Sequence, residues 1–250
     1  MKISKDIYLV GGGDIRLSSK IDSHVYLVDG GTKRCLIDTG AGTDPEMILE
    51  NIGSDGFNLD NIDFILITHA HADHAGGAYN LKKQTNAELF APLGEADFIE
   101  HGGVDFEMSL RIAQKNGIYP EDYIFKHVKI DGTVSHNQII KVGKYTIRAI
   151  EVPGHSEATT AYLIENEPRS LFSSDIVFIE GTVGFGNWPG CDLQKYRNNI
   201  ERLSNLNVTS LFPGHYMWTL KDGQQHLDRA IKNFEGVWLP PAWMNTHPHK

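Results

Sequence analysis

"THAHADHAGG", residues 68 to 77, decides how this chain is read. Four potential metal ligands, His69, His71, Asp73 and His74, fall within six consecutive positions. They follow "FILI" at 64–67, a short continuous apolar run of the kind expected for a strand buried on both faces. In extended backbone, side chains two residues apart share a face, so His69 and His71 point the same way. Asp73 and His74 come one turn later, as the chain bends into a helix expected to start near Gly76, and are left for a second ion. Zinc takes nitrogen, sulfur and carboxylate donors, and its catalytic sites keep one position open for water. A surface cluster of histidines would have no need of the buried strand in front of it.

The rest of the composition narrows the choices. With 250 residues, 40% of them hydrophobic and 22% charged, the chain has enough material for one sizeable globular domain. A formal net charge of −9 argues against a broad basic face for nucleic acid. A small anionic substrate remains compatible, because bound cations would supply local positive charge. Cys35 and Cys191 are too few for a disulfide framework and lack a CxxC spacing, so a reducing, cytoplasmic setting is expected. "MKISKDIYLVGGGD" at the start has no signal-peptide core, and no stretch approaches the ~20 apolar residues that span a bilayer. The expected partner is a small-molecule substrate, with neither nucleic acid nor membrane. A homodimer is the candidate assembly.

Along the chain, "DIYLV" (6–10), "HVYLV" (24–28) and "RCLIDTG" (34–40) read as strands ending in glycine turns. The glycines at 11–13 lack the lysine of a phosphate loop. "DPEMILENIGSDG" (44–56) has helical spacing, with Asp44 as N-cap. "GGAYNLKKQT" (76–85) opens a helix and "AELFAP" (87–92) is a strand. Residues 94–127 carry no strand alternation and read as a helical excursion able to cover a pocket mouth. Strands resume with "QIIKV", "YTIRAIEV", "TAYLI" and "SLFSSDIVF", followed by a helix over 192–206 with Asp192 as N-cap. "VTSLFP" (208–213) is a further strand, and a C-terminal helix and tail occupy 223–250. Strands followed by helices in both halves predict a layered α/β fold, read as a single domain over 1–250.

A metal site needs convergence, and three further donors follow apolar strands or sit in them. His155 lies in "EVPGHSEAT", Asp175 in "SLFSSDIVF" and His215 in "SLFPGHY". Each taken singly is weak, since a histidine after a strand is commonly structural and Asp175 could be a buried hydrogen-bonding carboxylate. The order decides. "LIDTG", "THAHADHAGG", "PGHSEAT", "LFSSD" and "PGH", in this sequence along nearly the whole chain, resemble the metallo-β-lactamase superfamily of metallohydrolases. The resemblance implies an αβ/βα sandwich, four layers with two mixed β-sheets inside and helices outside. It implies one metal on His69, His71 and His155, another on Asp73, His74 and His215, and Asp175 bridging them. Two divalent ions are implied, expected to be zinc, with iron or manganese accepted by the same donors. Asp38 would orient the histidine cluster from behind. Asp73 would be the catalytic residue that orients the nucleophilic water or carries its proton.

Within the superfamily, "EGTVGFGNWPG" lacks the arginine usual in the glyoxalase II branch, and only 35 residues follow His215. The flavodiiron branch has a glutamate where His71 stands. The intact second donor set favours hydrolysis of a small ester, lactone or thioester by metal-activated water. A mononuclear-iron, persulfide dioxygenase-like oxidoreductase is the alternative, with a phosphodiesterase behind it. Cys191, at an expected helix start, is read as a bystander thiol. His24 is read as packed or lining the site, Phe185 and Trp188 as pocket wall or loop packing. Trp238 and Trp243 are read as a pocket or subunit cover, and His247 and His249 as non-ligands.

Overall fold

The strand ahead of the motif, β5 (Phe64–Leu66), lies inside a sheet, and this explains its unbroken apolarity. It runs parallel to β4 (Arg34–Ile37) on one side and β6 (Glu88–Pro92) on the other, with Ile65 opposite Leu36 and Leu89. Ile65 and Leu66 are fully buried. The structure, a computed structural model, describes residues 1–242. These form two compact units, and β5 belongs to the first, residues 1–134 with 141–145. Its sheet has seven strands in chain order. β1 (Lys2–Ser4), β2 (Ile7–Gly11) and β3 (Val25–Asp29) run antiparallel up to β4, and β7 (Gly132–Val134) adds parallel to β6. Parallel neighbours require crossovers. α1 (Pro45–Ser54) bridges β4 to β5, and α2 (Ala72–Ala75) with α3 (Ala78–Thr85) bridges β5 to β6. α4 (Ala96–His101) and α5 (Val104–Lys115) then precede β7.

Apolar spacing sets how these helices seat. Ile48, Leu49 and Ile52 of α1 are buried, with Pro45 at its start. Asp44 stands at the N-cap position without a side-chain cap bond, so proline's fixed φ begins this helix rather than the expected cap. Phe106 is the buried residue of α5. The segment after α5 then sends Tyr119, Tyr123, Phe125 and Ile130 into the core of the unit.

The second unit comprises residues 135–140 and those from 146 onward. A five-stranded sheet runs in the order β12 (Ser210–Pro213), β11 (Ser170–Ser174), β10 (Thr160–Ile164), β9 (Tyr145–Glu151) and β8 (Ile139–Val142). β9, β10 and β11 are antiparallel and β12 is parallel to β11, making this sheet mixed as well. α6 (Leu193–Asn199) begins as expected, with the Asp192 carboxylate accepting from the N–H groups of Gln194 and Lys195. It tightens into a 3-10 turn over Ile200–Leu203 rather than running on to 206. α7 (Gly223–Glu235) buries Leu227, Ala230, Ile231 and Phe234, one stripe at helical spacing. No helix among the described residues is long and apolar enough to cross a membrane.

Two boundaries differ from the sequence reading. The helix expected near Gly76 is α3, beginning at Ala78, but a short separate helix, α2, precedes it with His71 as its N-cap residue, so Asp73 and His74 are themselves helical. Strand β11 stops at Ser174, whose φ of 50° turns the chain, and Asp175 therefore lies beyond the strand rather than within it. The paired glycines of the motif also have a clear role. A Cβ at Gly77 would lie 2.1 Å from the Thr39 carbonyl oxygen. At Gly76 it would meet the Tyr123 hydroxyl at 2.2 Å and the Ala41 carbonyl oxygen at 2.4 Å. Both glycines have ordinary negative φ, so the requirement is space. Gly77→Ala is expected to lower the unfolding free energy by about 1–3 kcal/mol through overpacking. Gly53→Ala, in α1 facing open space, should be neutral or raise it by about 0.5–1 kcal/mol. Denaturant unfolding of the two variants checks the contrast.

Candidate metal centre

In the first unit the donor cluster is built around one buried carboxylate. Asp38 follows β4 with a left-handed φ of 61°, a conformation aspartate tolerates better than most residues. Its N–H donates to the Leu66 carbonyl at 3.0 Å, locking it to the end of β5. Oδ1 accepts the Thr68 N–H at 2.8 Å, and Oδ2 accepts the Thr68 hydroxyl at 2.9 Å. The same Oδ2 lies 2.8 Å from His74 Nδ1. Burial raises the Asp38 carboxyl above its ordinary range, opposed by His74 and the Thr68 donors. With Nδ1 engaged behind it, His74 presents Nε2 forward.

His69 is held in the same way, its Nδ1 3.0 Å from the Thr68 hydroxyl. Its Nε2 lies 3.0 Å from His71 Nδ1. Two nitrogens bound about 2.0–2.1 Å from one tetrahedral cation would stand roughly 3.3 Å apart, so this pair has the spacing of co-ligands. Asp73 Oδ2 lies 3.7 Å from His74 Nε2. The loop carrying all four is pinned at several points. The Thr39 N–H and hydroxyl both donate to the His74 carbonyl, at 2.8 and 2.7 Å, and the Ser23 N–H donates to that of Asp73 at 3.1 Å. The Ala70 N–H, between the first two histidines, donates to Glu95 Oε2 at 2.5 Å. Tyr119 donates to Asp73 Oδ1 at 2.7 Å.

The second unit holds the other three sequence-predicted donors together. Asp175 Oδ2 lies 3.7 Å from His155 Nε2 and 3.7 Å from His215 Nε2. That separation exceeds a hydrogen bond and leaves the oxygen equidistant from two imidazole nitrogens. His155 Nδ1 donates to the Gly184 carbonyl at 2.8 Å, which fixes the tautomer because a carbonyl accepts and does not donate. Trp188 covers His155: its Nε1–H donates to the His155 carbonyl at 2.9 Å, and the rings meet edge to face at 5.3 Å. Left-handed residues flank the donors here too, Ser174 before Asp175 and Tyr216 after His215. Such conformations cluster where surrounding structure over-determines a site.

Each half thus supplies imidazole nitrogens and carboxylate oxygens, and this donor chemistry fits the implied divalent metals. Other sequence candidates take lesser roles. His24 is buried with its Nδ1 3.0 Å from the Tyr26 hydroxyl, a packed histidine. Phe185 packs against the core of the second unit. Cys191 is not activated, since burial pushes its thiol up to about 11 despite the neighbouring helix. Trp238 is 84% exposed. Trp243, His247 and His249 lie outside the described residues. Glu95 and Tyr119 escaped the sequence reading, because neither stands in a motif after an apolar strand and the burial of each follows from tertiary packing.

Residues 20–215 match the family model described as the metallo-beta-lactamase superfamily. The chain is similar to a beta-lactamase-like protein 2 homolog of Caenorhabditis elegans, 28% identical over 77% of this chain and 55% of that protein. It is also similar to the "Probable metallo-hydrolase" of Methanocaldococcus jannaschii, 29% identical over 77% of this chain and 87% of that one. The chain spans little more than half the length of the first of these relatives. Among solved structures, a metallo-beta-lactamase family protein of Thermus thermophilus aligns with a TM-score of 0.72 at 20% identity, covering 92% of this chain and 79% of that one. A subclass B3 metallo-beta-lactamase of Bradyrhizobium japonicum aligns with a TM-score of 0.68 at 24% identity, covering 94% and 91%. These likenesses show the fold.

Replacing Asp38 by alanine leaves the Thr68 N–H, the Thr68 hydroxyl and His74 Nδ1 buried without their acceptor. Each such group costs about 1–3 kcal/mol. Asp38→Ala is therefore expected to destabilise the metal-free protein by about 3 kcal/mol or more, read from denaturant unfolding in the presence of a chelator.

Proposed function

Because this chain belongs to the metallo-β-lactamase superfamily, we propose that it is a hydrolase in which the two donor sets serve one dinuclear metal centre. The substrate class proposed is a small ester, lactone or thioester. His69, His71 and His155 would hold one divalent cation, Asp73, His74 and His215 the other, and Asp175 would be shared. The observation that carries this reading is the position of Asp175 Oδ2, equally distant from His155 Nε2 and His215 Nε2. A catalytic cation takes about three protein donors and keeps a position open, so the seven donors of the two sets exceed what one such ion would use.

The cations, when bound, supply a water of lowered pKa and polarise the oxygen of the scissile group. The chain's own residues do the rest. Asp73 is the proposed catalytic residue, orienting the attacking water and taking its proton on the carboxylate. Asp38 and the Gly184 carbonyl hold His74 and His155 in the tautomer that offers Nε2. Burial raises the Cys191 thiol, which argues against it as a nucleophile. The net charge of −9 supports a small molecule over nucleic acid as substrate. Two free cysteines support a reducing compartment, and we infer a cytoplasmic protein.

Elemental analysis of protein purified without added metal, followed by an ester, lactone and thioester panel, tests the reading. About two metals per chain and turnover on at least one class are expected. One iron per chain with oxygen uptake on a persulfide would replace the hydrolase by a dioxygenase. Asp175→Ala should lose at least one metal and lower kcat by two orders of magnitude or more; retention of both metals and full activity would remove its bridging role.

A further inference from the structure

Tyr119 reaches Asp73 from 46 positions along the chain, out of the segment that follows α5. The two residues meet twice through one hydroxyl. The Tyr119 O–H donates to Asp73 Oδ1 at 2.7 Å, and the Asp73 N–H donates to the Tyr119 oxygen at 3.3 Å. The phenol therefore clips the side chain and the backbone of the same residue. Its ring is buried and lies 5.3 Å from that of Tyr123, whose own hydroxyl donates to the Ala41 carbonyl at 2.7 Å. An ionised carboxylate can only accept, so the Tyr119 hydroxyl is the donor of its bond to Asp73 Oδ1.

A carboxylate ligand can meet a cation through one oxygen or two. Here Oδ1 accepts from Tyr119, while Oδ2 is turned towards His74 Nε2, 3.7 Å away. A donor held on one oxygen fixes the rotation of the carboxylate about χ2. We propose that Tyr119 is a positioning residue that makes Asp73 a one-oxygen ligand through Oδ2 and so sets the affinity of the Asp73–His74 metal position. The His69–His71 position owes nothing to Tyr119. This inference rests on the two-metal reading.

Zinc titration of chelator-stripped protein separates it from a merely structural role. Wild type, Tyr119→Phe, Tyr123→Phe, Asp73→Ala and the Asp73→Ala/Tyr119→Phe double variant are compared by calorimetry. Cobalt absorption spectra and the melting temperature of each stripped protein accompany the titrations. Tyr119→Phe should weaken one of two equivalents by about 10–100-fold, leave the other unchanged and shift the cobalt spectrum of the weakened position. Tyr123→Phe, which removes a comparable buried hydroxyl, should keep both affinities whatever it does to melting. In the Asp73→Ala background the Tyr119 substitution should add nothing further. Wild-type affinities in Tyr119→Phe would overturn the inference alone, as would equal weakening in both tyrosine variants. A single equivalent in wild type would overturn the two-metal reading and this inference with it.

Discussion

One carboxylate in the first unit ties backbone, helix turn and metal ligand together. Asp38 accepts the Thr68 N–H and hydroxyl and lies against His74 Nδ1, while its own N–H donates to the end of β5. Burying such a group without partners would cost several kcal/mol. Fully partnered, it becomes a rigid node. Through Thr68 it reaches His69, whose Nδ1 lies against the same hydroxyl, and through His74 it reaches the helical turn that carries Asp73. The parallel strands β4 and β5 bring the two ends of this node to the same edge of the sheet.

The second unit solves the same problem differently. There the orienting acceptor is a backbone carbonyl, that of Gly184, and the carboxylate lies on the side of the donors. Gly184 has no room for a side chain, since a Cβ would meet His155 Nδ1 at 2.6 Å and the Asp175 carbonyl oxygen at 2.4 Å. In the second unit the chain leaves β11 for Asp175 through Ser174 in the left-handed region, and in the first the orienting Asp38 leaves β4 in the same conformation. Sharp exits of this kind aim side chains from rigid strands rather than from long loops, which keeps the donors preorganised.

The "THAHADHAGG" cluster is legible because it stands directly after an apolar run, whereas His155, Asp175 and His215 are weak singly and become candidate donors through the order of the motifs. The role of Asp38 is legible only through the resemblance that "LIDTG" helps to carry. Glu95 and Tyr119 were not, since nothing in "LGEADFIEH" or "GIYPEDY" distinguishes a buried side chain from a solvated one. Their roles depend on where the long connection between β6 and β7 folds back. The end of β11 differs from the expectation because "SLFSSDIVF" has apolar residues on both sides of Asp175; a positive φ at Ser174 is a tertiary outcome that composition does not announce. Cys191 was positioned correctly at a helix start, but burial outweighs the helix there.

The central claim is that Asp38 fixes His74 in advance, with Nδ1 committed to the carboxylate and Nε2 offered to a cation. Anomalous diffraction at the zinc absorption edge, from crystals grown with zinc, addresses it directly. The account predicts two peaks per chain, one bonded to His74 Nε2 with Nδ1 still against Asp38. A peak bonded to His74 Nδ1, or a His74 ring rotated away from Asp38, would contradict it.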